Sequence, residues 1–136
     1  MDKTKLCAMA IAAMQSAYAP YSGYKVGAAL LTKAGKIYTG CNIENTSFGA
    51  TNCAERTAFF KAVSAGERDF TMIAIAGGKD GKMDGAFPPC GICRQVMREF
   101  CEDDFVVLSV TGEENYEEYT LSELLPHSFA PQHLQG

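Results

Sequence analysis

Apolar residues change period several times along the chain, and each change marks an element. Positions 3–18 repeat at helical spacing and suit a helix. Segments 24–32 (YKVGAALLT) and 36–43 (KIYTGCNI) read as strands. Only the short turn Lys33-Ala34-Gly35 joins them, so they are expected to pair antiparallel. A second helix is expected over 53–65, with Gly66 as its stop signal. The continuous apolar run 71–77 (TMIAIAG) suits a fully buried strand. A Gly- and Lys-rich loop at 77–87 leads to Pro88-Pro89, and a third helix follows over 91–101, although Gly91 is a poor helix former. Strands at 104–111 and 115–120 form a second expected antiparallel pair, followed by a short helical turn at 121–125 and a loose tail. No repeat, linker or low-complexity segment interrupts this order, which implies one domain spanning 1–136 with helices covering the faces of a sheet.

Composition narrows the function classes. An apolar fraction of 47% supports a real core, yet no stretch of 18 or more apolar residues offers a membrane span. The net charge is −4 and the basic residues are scattered, which argues against a nucleic-acid backbone as the main partner. The N-terminus permits a secretory reading: Lys3 and Lys5 precede an apolar run, and Ala17-Tyr18-Ala19 could pass for a cleavage site. The run is rich in Ala and Met, however, and reads better as an amphipathic helix capped by Asp2 and stopped by Pro20. A reduced, cytoplasmic chain is the better expectation, with its six cysteines kept for metal or packing.

The chemistry concentrates at two helix starts. One carries Cys53-Ala54-Glu55 and the other Pro89-Cys90-Gly91-Ile92-Cys93. A ligand with a nearby Glu, followed by P-C-x-x-C, is the pattern of zinc deaminases, here in a three-cysteine form. Three protein ligands leave a tetrahedral zinc one open position, which is the catalytic pattern. Cys90 and Cys93 are one turn apart and share a side of their helix. All three thiols lie near helix N-termini, where unpaired N–H groups and the dipole favour thiolate. Cys53 and Glu55 would diverge in mid-helix, so Cys53 is expected at or just before the helix start, with Glu55 reaching toward the open position.

Three thiolates and one zinc(II) leave an excess charge of −1, which weakens the metal as a Lewis acid. Arg56 and Arg94 stand three and four residues after Cys53 and Cys90, and both are expected to donate to ligand sulfurs. Two other readings of the cysteines exist. Cys90 and Cys93 alone would suit a thioredoxin-like dithiol, and Cys41 could complete a closed four-cysteine structural zinc site. The first leaves Cys53 and Glu55 unexplained, and the second gives Glu55 no job. Cys7 and Cys101 are expected in or beside the core, and Cys41 to be structural.

Across nearly its whole length the sequence resembles the small cytidine deaminases that assemble as homotetramers. The matching segments are Ala19-Pro20-Tyr21-Ser22, Val26-Gly27-Ala28-Ala29-Leu30, Gly40-Cys41-Asn42-Ile43-Glu44-Asn45, Cys53-Ala54-Glu55-Arg56-Thr57-Ala58, Pro89-Cys90-Gly91, Cys93-Arg94-Gln95 and Leu124-Leu125-Pro126. The resemblance implies a three-layer α/β/α fold with a five-stranded mixed sheet, and one zinc per subunit. It implies hydrolysis of cytidine and 2′-deoxycytidine to the uridines and ammonia in pyrimidine salvage, with Glu55 shuttling protons. It places Asn42 and Glu44 at the ribose 3′-hydroxyl, Tyr24 and Ala54 along the base pocket, and Phe129 against the base bound in a neighbouring subunit. Nucleic acid and membrane are not implied partners. Tyr24 stands where the family usually has Phe, and Phe48 where a Tyr is common, so each keeps an aromatic face and changes one hydroxyl.

Overall fold

The computed structural model describes residues 2–135. Helix α1 (Lys3–Ala13) begins at Asp2, whose carboxylate accepts from the Thr4 amide, and buries Leu6, Cys7 and Ala10. It ends earlier than its apolar period suggested. A 3-10 turn at Met14–Ser16 follows, and Ala17 is already extended. The reason is tertiary: the Tyr18 amide donates to Asn42 O, and the Glu44 amide donates back to Tyr18 O. That short ladder captures the chain before Pro20.

Strands β1 (Tyr24–Thr32) and β2 (Ile37–Cys41) form the expected hairpin. β3 (Phe70–Lys79) lies antiparallel to β1 on its other side, β4 (Val106–Gly112) parallel to β3, and β5 (Asn115–Thr120) antiparallel to β4. The sheet order is β2-β1-β3-β4-β5. β3 runs past the expected end of its segment because Lys79 still pairs with Tyr24.

Helices α2 (Ala54–Ser64) and α3 (Gly91–Phe100) cover one face and α1 the other. Alternation along β1 sorts the layers. Ala28 and Leu30 pack with Ala58, Phe59, Ile73, Ile75 and Met97, while Ala29 and Leu31 pack with Leu6, Ala10, Met14 and Leu108. Phe59 centres an aromatic cluster with Phe70, Phe100 and Phe105. Gly27 and Gly40 let the helices approach. A Cβ at Gly27 would run into the Ala10 carbonyl, and one at Gly40 would lie 2.5 Å from Ala54 O and 2.6 Å from Ala58 N. No described helix is long and apolar enough to cross a membrane.

This topology sets up the site. β2 and β3 are both antiparallel to β1, so their C-terminal ends lie at the same edge of the sheet. α2 follows β2 and α3 follows β3, so both helices start at that edge. Open α/β sheets bind ligands outside the carboxyl ends of their strands for the same reason.

Candidate active site at two helix starts

Cys53 is the N-cap of α2, with extended backbone, and Glu55 lies in the first turn. The two-residue spacing requires this placement, since only a side chain outside the helix can converge with one at the second helical position. Cys90 is the N-cap of α3, and its sulfur accepts from the Cys93 amide. One of the orphan N–H groups of that helix therefore ends on a prospective ligand.

The Cys53, Cys90 and Cys93 sulfurs all lie within 4.8 Å of one another. Cys53 and Cys90 are 3.7 Å apart, and Cys90 and Cys93 3.4 Å. Tetrahedral zinc with Zn–S bonds near 2.3 Å requires sulfurs about 3.8 Å apart, so this set fits zinc. Cys41 stands outside the cluster, and all six cysteines are free, which leaves the four-cysteine reading without support. Cys7 and Cys101 are buried in the core as expected, and Cys41 is half-buried at the end of β2.

The electrostatics of the cluster are uneven. The Cys53 thiol is held down to about 5, first by the hydrogen bond from Cys93 and then by Arg56. Cys93 is pushed up, by donating to Cys53 and by burial. Glu55 is only 4% exposed, and burial raises its carboxyl to about 7. Such a group can both take and release a proton near neutral pH.

Arg56 donates from Nη2 to the Cys53 sulfur at 3.2 Å. Arg94 does something else. Its Nε donates to Pro89 O at 2.8 Å and its Nη1 to Leu124 O at 2.7 Å, and it makes no hydrogen bond to a sulfur among the described residues. The expectation from helical spacing is corrected: backbone carbonyls on both sides of α3 capture this guanidinium. Its neighbour Gln95 donates to Phe129 O at 2.7 Å. Arg94 and Gln95 together fasten the C-terminal segment to the helix that carries Cys93.

The expected ribose residues lie next to Cys53 through backbone register. Ile43 pairs with Asn52 on one side and bridges to Tyr18 on the other. Glu44 follows Ile43 directly, as Cys53 follows Asn52. Asn42 is buried and turned onto β1, where its Oδ1 accepts from Val26 N at 2.9 Å and its Nδ2 donates to Tyr24 O at 2.7 Å. One N–H and one lone pair of that amide remain free of these bonds. Glu44 accepts from the amides of Tyr21 and Ser22 and from the Ser22 hydroxyl. Ser22 hydrogen bonding lowers its carboxyl. A cavity of about 340 Å³ is lined by Tyr21, Ser22, Glu44, Phe48 and Thr51.

Tyr24 is exposed, lies 6.2 Å from Phe87 between ring centroids, and has Lys79 Nζ 5.2 Å above its ring. Ala54 is fully buried. Phe129 is 56% exposed and stacks on His133, so it does not cover the core of its own domain. Sequence reasoning gave no role to Ser22, Asn52 or Lys79. The only signal was the motif Ala19-Pro20-Tyr21-Ser22, whose contacts appear once the loop folds against Glu44.

The family model described as "Cytidine and deoxycytidylate deaminase zinc-binding region" matches residues 1–109. The chain belongs to this deaminase family. A cytidine deaminase of Sporosarcina psychrophila is 48% identical over 134 residues, covering 98% of this chain and 96% of the relative. A blasticidin-S deaminase of Bacillus cereus is 35% identical over 107 residues, covering 76% of this chain and 75% of the relative. Among solved structures, cytidine deaminase from Burkholderia pseudomallei aligns with a TM-score of 0.87 at 44% identity, covering 95% of this chain and all of that one. Family membership and the sulfur cluster agree on zinc as the metal.

Proposed function

We propose that the protein hydrolyses cytidine and 2′-deoxycytidine to uridine and 2′-deoxyuridine with release of ammonia, serving pyrimidine salvage. The observation that carries this reading is a three-sulfur cluster with a buried glutamate beside it. Cys53, Cys90 and Cys93 would hold one zinc per chain, and Arg56 would draw charge from Cys53. Zinc bound there would supply a water with its pKa lowered toward ~7. Glu55 takes the proton of the attacking water and delivers it to N3 of the pyrimidine, which makes C4 electrophilic. The water oxygen adds at C4; Glu55 then takes the proton remaining on that oxygen and carries it to the amino nitrogen, which leaves as ammonia as the C4 carbonyl forms. One carboxylate thus acts as base and then acid, so it must stay off the metal.

Asn42 and Glu44 would hold the ribose 3′-hydroxyl, a hydroxyl on a carboxylate being a strong charge-assisted hydrogen bond. Tyr24 would line the base pocket, whereas Ala54 is fully buried at the start of α2 and presents no surface to a substrate in this structure. The exposed ring of Phe129 supports a homotetramer in which it stacks on the base in a neighbouring subunit. The protein's six free cysteines suit a reducing compartment and support a cytoplasmic location.

The test is ammonia release from cytidine, deoxycytidine, CMP and blasticidin S by zinc-loaded protein, alongside metal analysis. Turnover of the two nucleosides is expected. Exclusive turnover of blasticidin S would reassign the substrate, and zinc without any turnover would remove the enzymatic reading.

A further inference from the structure

We infer that Ser22 is a positioning residue that sets the geometry of the sugar-reading carboxylate, an inference that rests on Glu44 being the ribose ligand. Glu44 follows β2 on a loop, where a long acidic side chain would ordinarily sample many rotamers. Here three donors hold it. The Tyr21 and Ser22 amides reach Oε1 at 2.9 and 3.1 Å, and the Ser22 hydroxyl donates to Oε2. A carboxylate offers about four acceptor positions, so about one is left for a hydroxyl from outside.

Ser22 also touches Tyr24, the aromatic proposed to line the base pocket. Its hydroxyl oxygen accepts from the Tyr24 amide at 3.0 Å, and its carbonyl accepts from Lys79 Nζ at 2.7 Å. That same ammonium stands over the Tyr24 ring. One residue therefore touches the carboxylate, the backbone of the pocket aromatic and the cation above that ring. Gly23, at φ 74°, makes the turn that presents it, and Asp80 N donates to Gly23 O at 2.7 Å. Removing the Ser22 hydroxyl frees Oε2 and the Tyr24 amide while leaving the Lys79 contact, which uses the main chain.

The experiment measures kcat and KM for cytidine and 3′-deoxycytidine in the zinc-loaded wild type, Ser22→Ala, Ser22→Cys, Ser22→Thr, Glu44→Gln and the Ser22→Ala/Glu44→Gln double variant. Ser22→Ala and Ser22→Cys are expected to raise KM for cytidine about 5- to 30-fold, which corresponds to about 1–2 kcal/mol at ~1.4 kcal/mol per tenfold. Neither should change kcat, and the loss on 3′-deoxycytidine, which depends only on the Tyr24 amide contact, should be several-fold smaller than that on cytidine. Ser22→Thr restores the hydroxyl and should restore the ratio. In the Glu44→Gln background, Ser22→Ala should add no more than that smaller loss. An equal loss on both substrates, or a Ser22→Ala effect as large in the Glu44→Gln background as in the wild type, would show general loop support and overturn the inference. A Glu44→Gln effect with no Ser22→Ala effect removes the Ser22 role alone. An unchanged substrate ratio in Glu44→Gln removes the ribose reading, and the Ser22 role with it.

Discussion

Arg56 reaches back one helical turn and places Nη2 3.2 Å from the Cys53 sulfur. This hydrogen bond would offset part of the excess negative charge that three thiolates bring to a divalent cation. Arg56→Gln should therefore weaken zinc affinity or kcat by about 10- to 100-fold, the usual cost of losing a partner of a metal ligand. Zinc competition with a chromogenic chelator and steady-state kinetics check this. Unchanged values in both would show that the sulfurs need no such donor.

Each of Cys53→Ala, Cys90→Ala and Cys93→Ala should lose zinc and activity together. Cys41→Ala should keep both, because its sulfur is not in the cluster. Elemental analysis of the purified variants reads the outcome directly. Full zinc occupancy in Cys53→Ala would contradict the ligand set.

Glu55→Gln keeps the volume of a side chain that is 4% exposed. It should retain zinc and fold while kcat falls by at least ~10²–10⁴-fold, the range for general acid–base catalysis. Near-normal turnover in zinc-loaded protein would rule out the proton shuttle.

Phe129 tests the sharing of sites between subunits. Stacking of a base on an aromatic is worth roughly 1–3 kcal/mol, or about one to two powers of ten in affinity. Glu55→Gln and Phe129→Ala chains, refolded together, should form some sites with Glu55 from one chain and Phe129 from another. Activity above the weighted sum of the two separate proteins is the expected result. Only that sum, in thoroughly mixed oligomers, would confine Phe129 to its own chain.

Gly40→Ala tests how the sheet positions α2. Its Cβ would press on Ala54 O and Ala58 N, so the helix start must shift. Overpacking of this kind costs about 1–3 kcal/mol. A lower thermal midpoint is expected together with a loss of kcat, because Cys53 and Glu55 ride on the same turn.

The elements were legible in the sequence because they rest on local rules, and the three-cysteine cluster because its two halves make a known motif pair. The apolar run in 24–32 and the short turn at 33–35 defined a hairpin, and the two-residue gap between Cys53 and Glu55 required a helix to start between them. What the sequence did not convey depends on segments far apart in the chain. Arg94 lies on the helical face of Cys90, but the Leu124 carbonyl, thirty residues later, satisfies it. The two bonds that turn the Asn42 amide onto β1 are likewise invisible from its place just after β2. The end of α1 was misjudged for the same reason, since its competitor is a ladder to residues 42 and 44.

Cys53 and Cys90 are 37 residues apart in sequence and belong to different supersecondary units, a β-hairpin with its helix and a βαβ crossover. A cation gripping both acts as a cross-link, closing a loop that chain entropy would otherwise hold open. It binds only the folded arrangement, so it stabilises that arrangement by mass action. Removing it should loosen the first turns of α2 and α3 before the rest, because Phe59 and Phe100 still anchor the two helices through their stacked rings. Hydrogen exchange after chelation should show protection lost at those turns and kept in β1 and β3. Metal supply would then govern how long each chain survives as well as how many sites turn over.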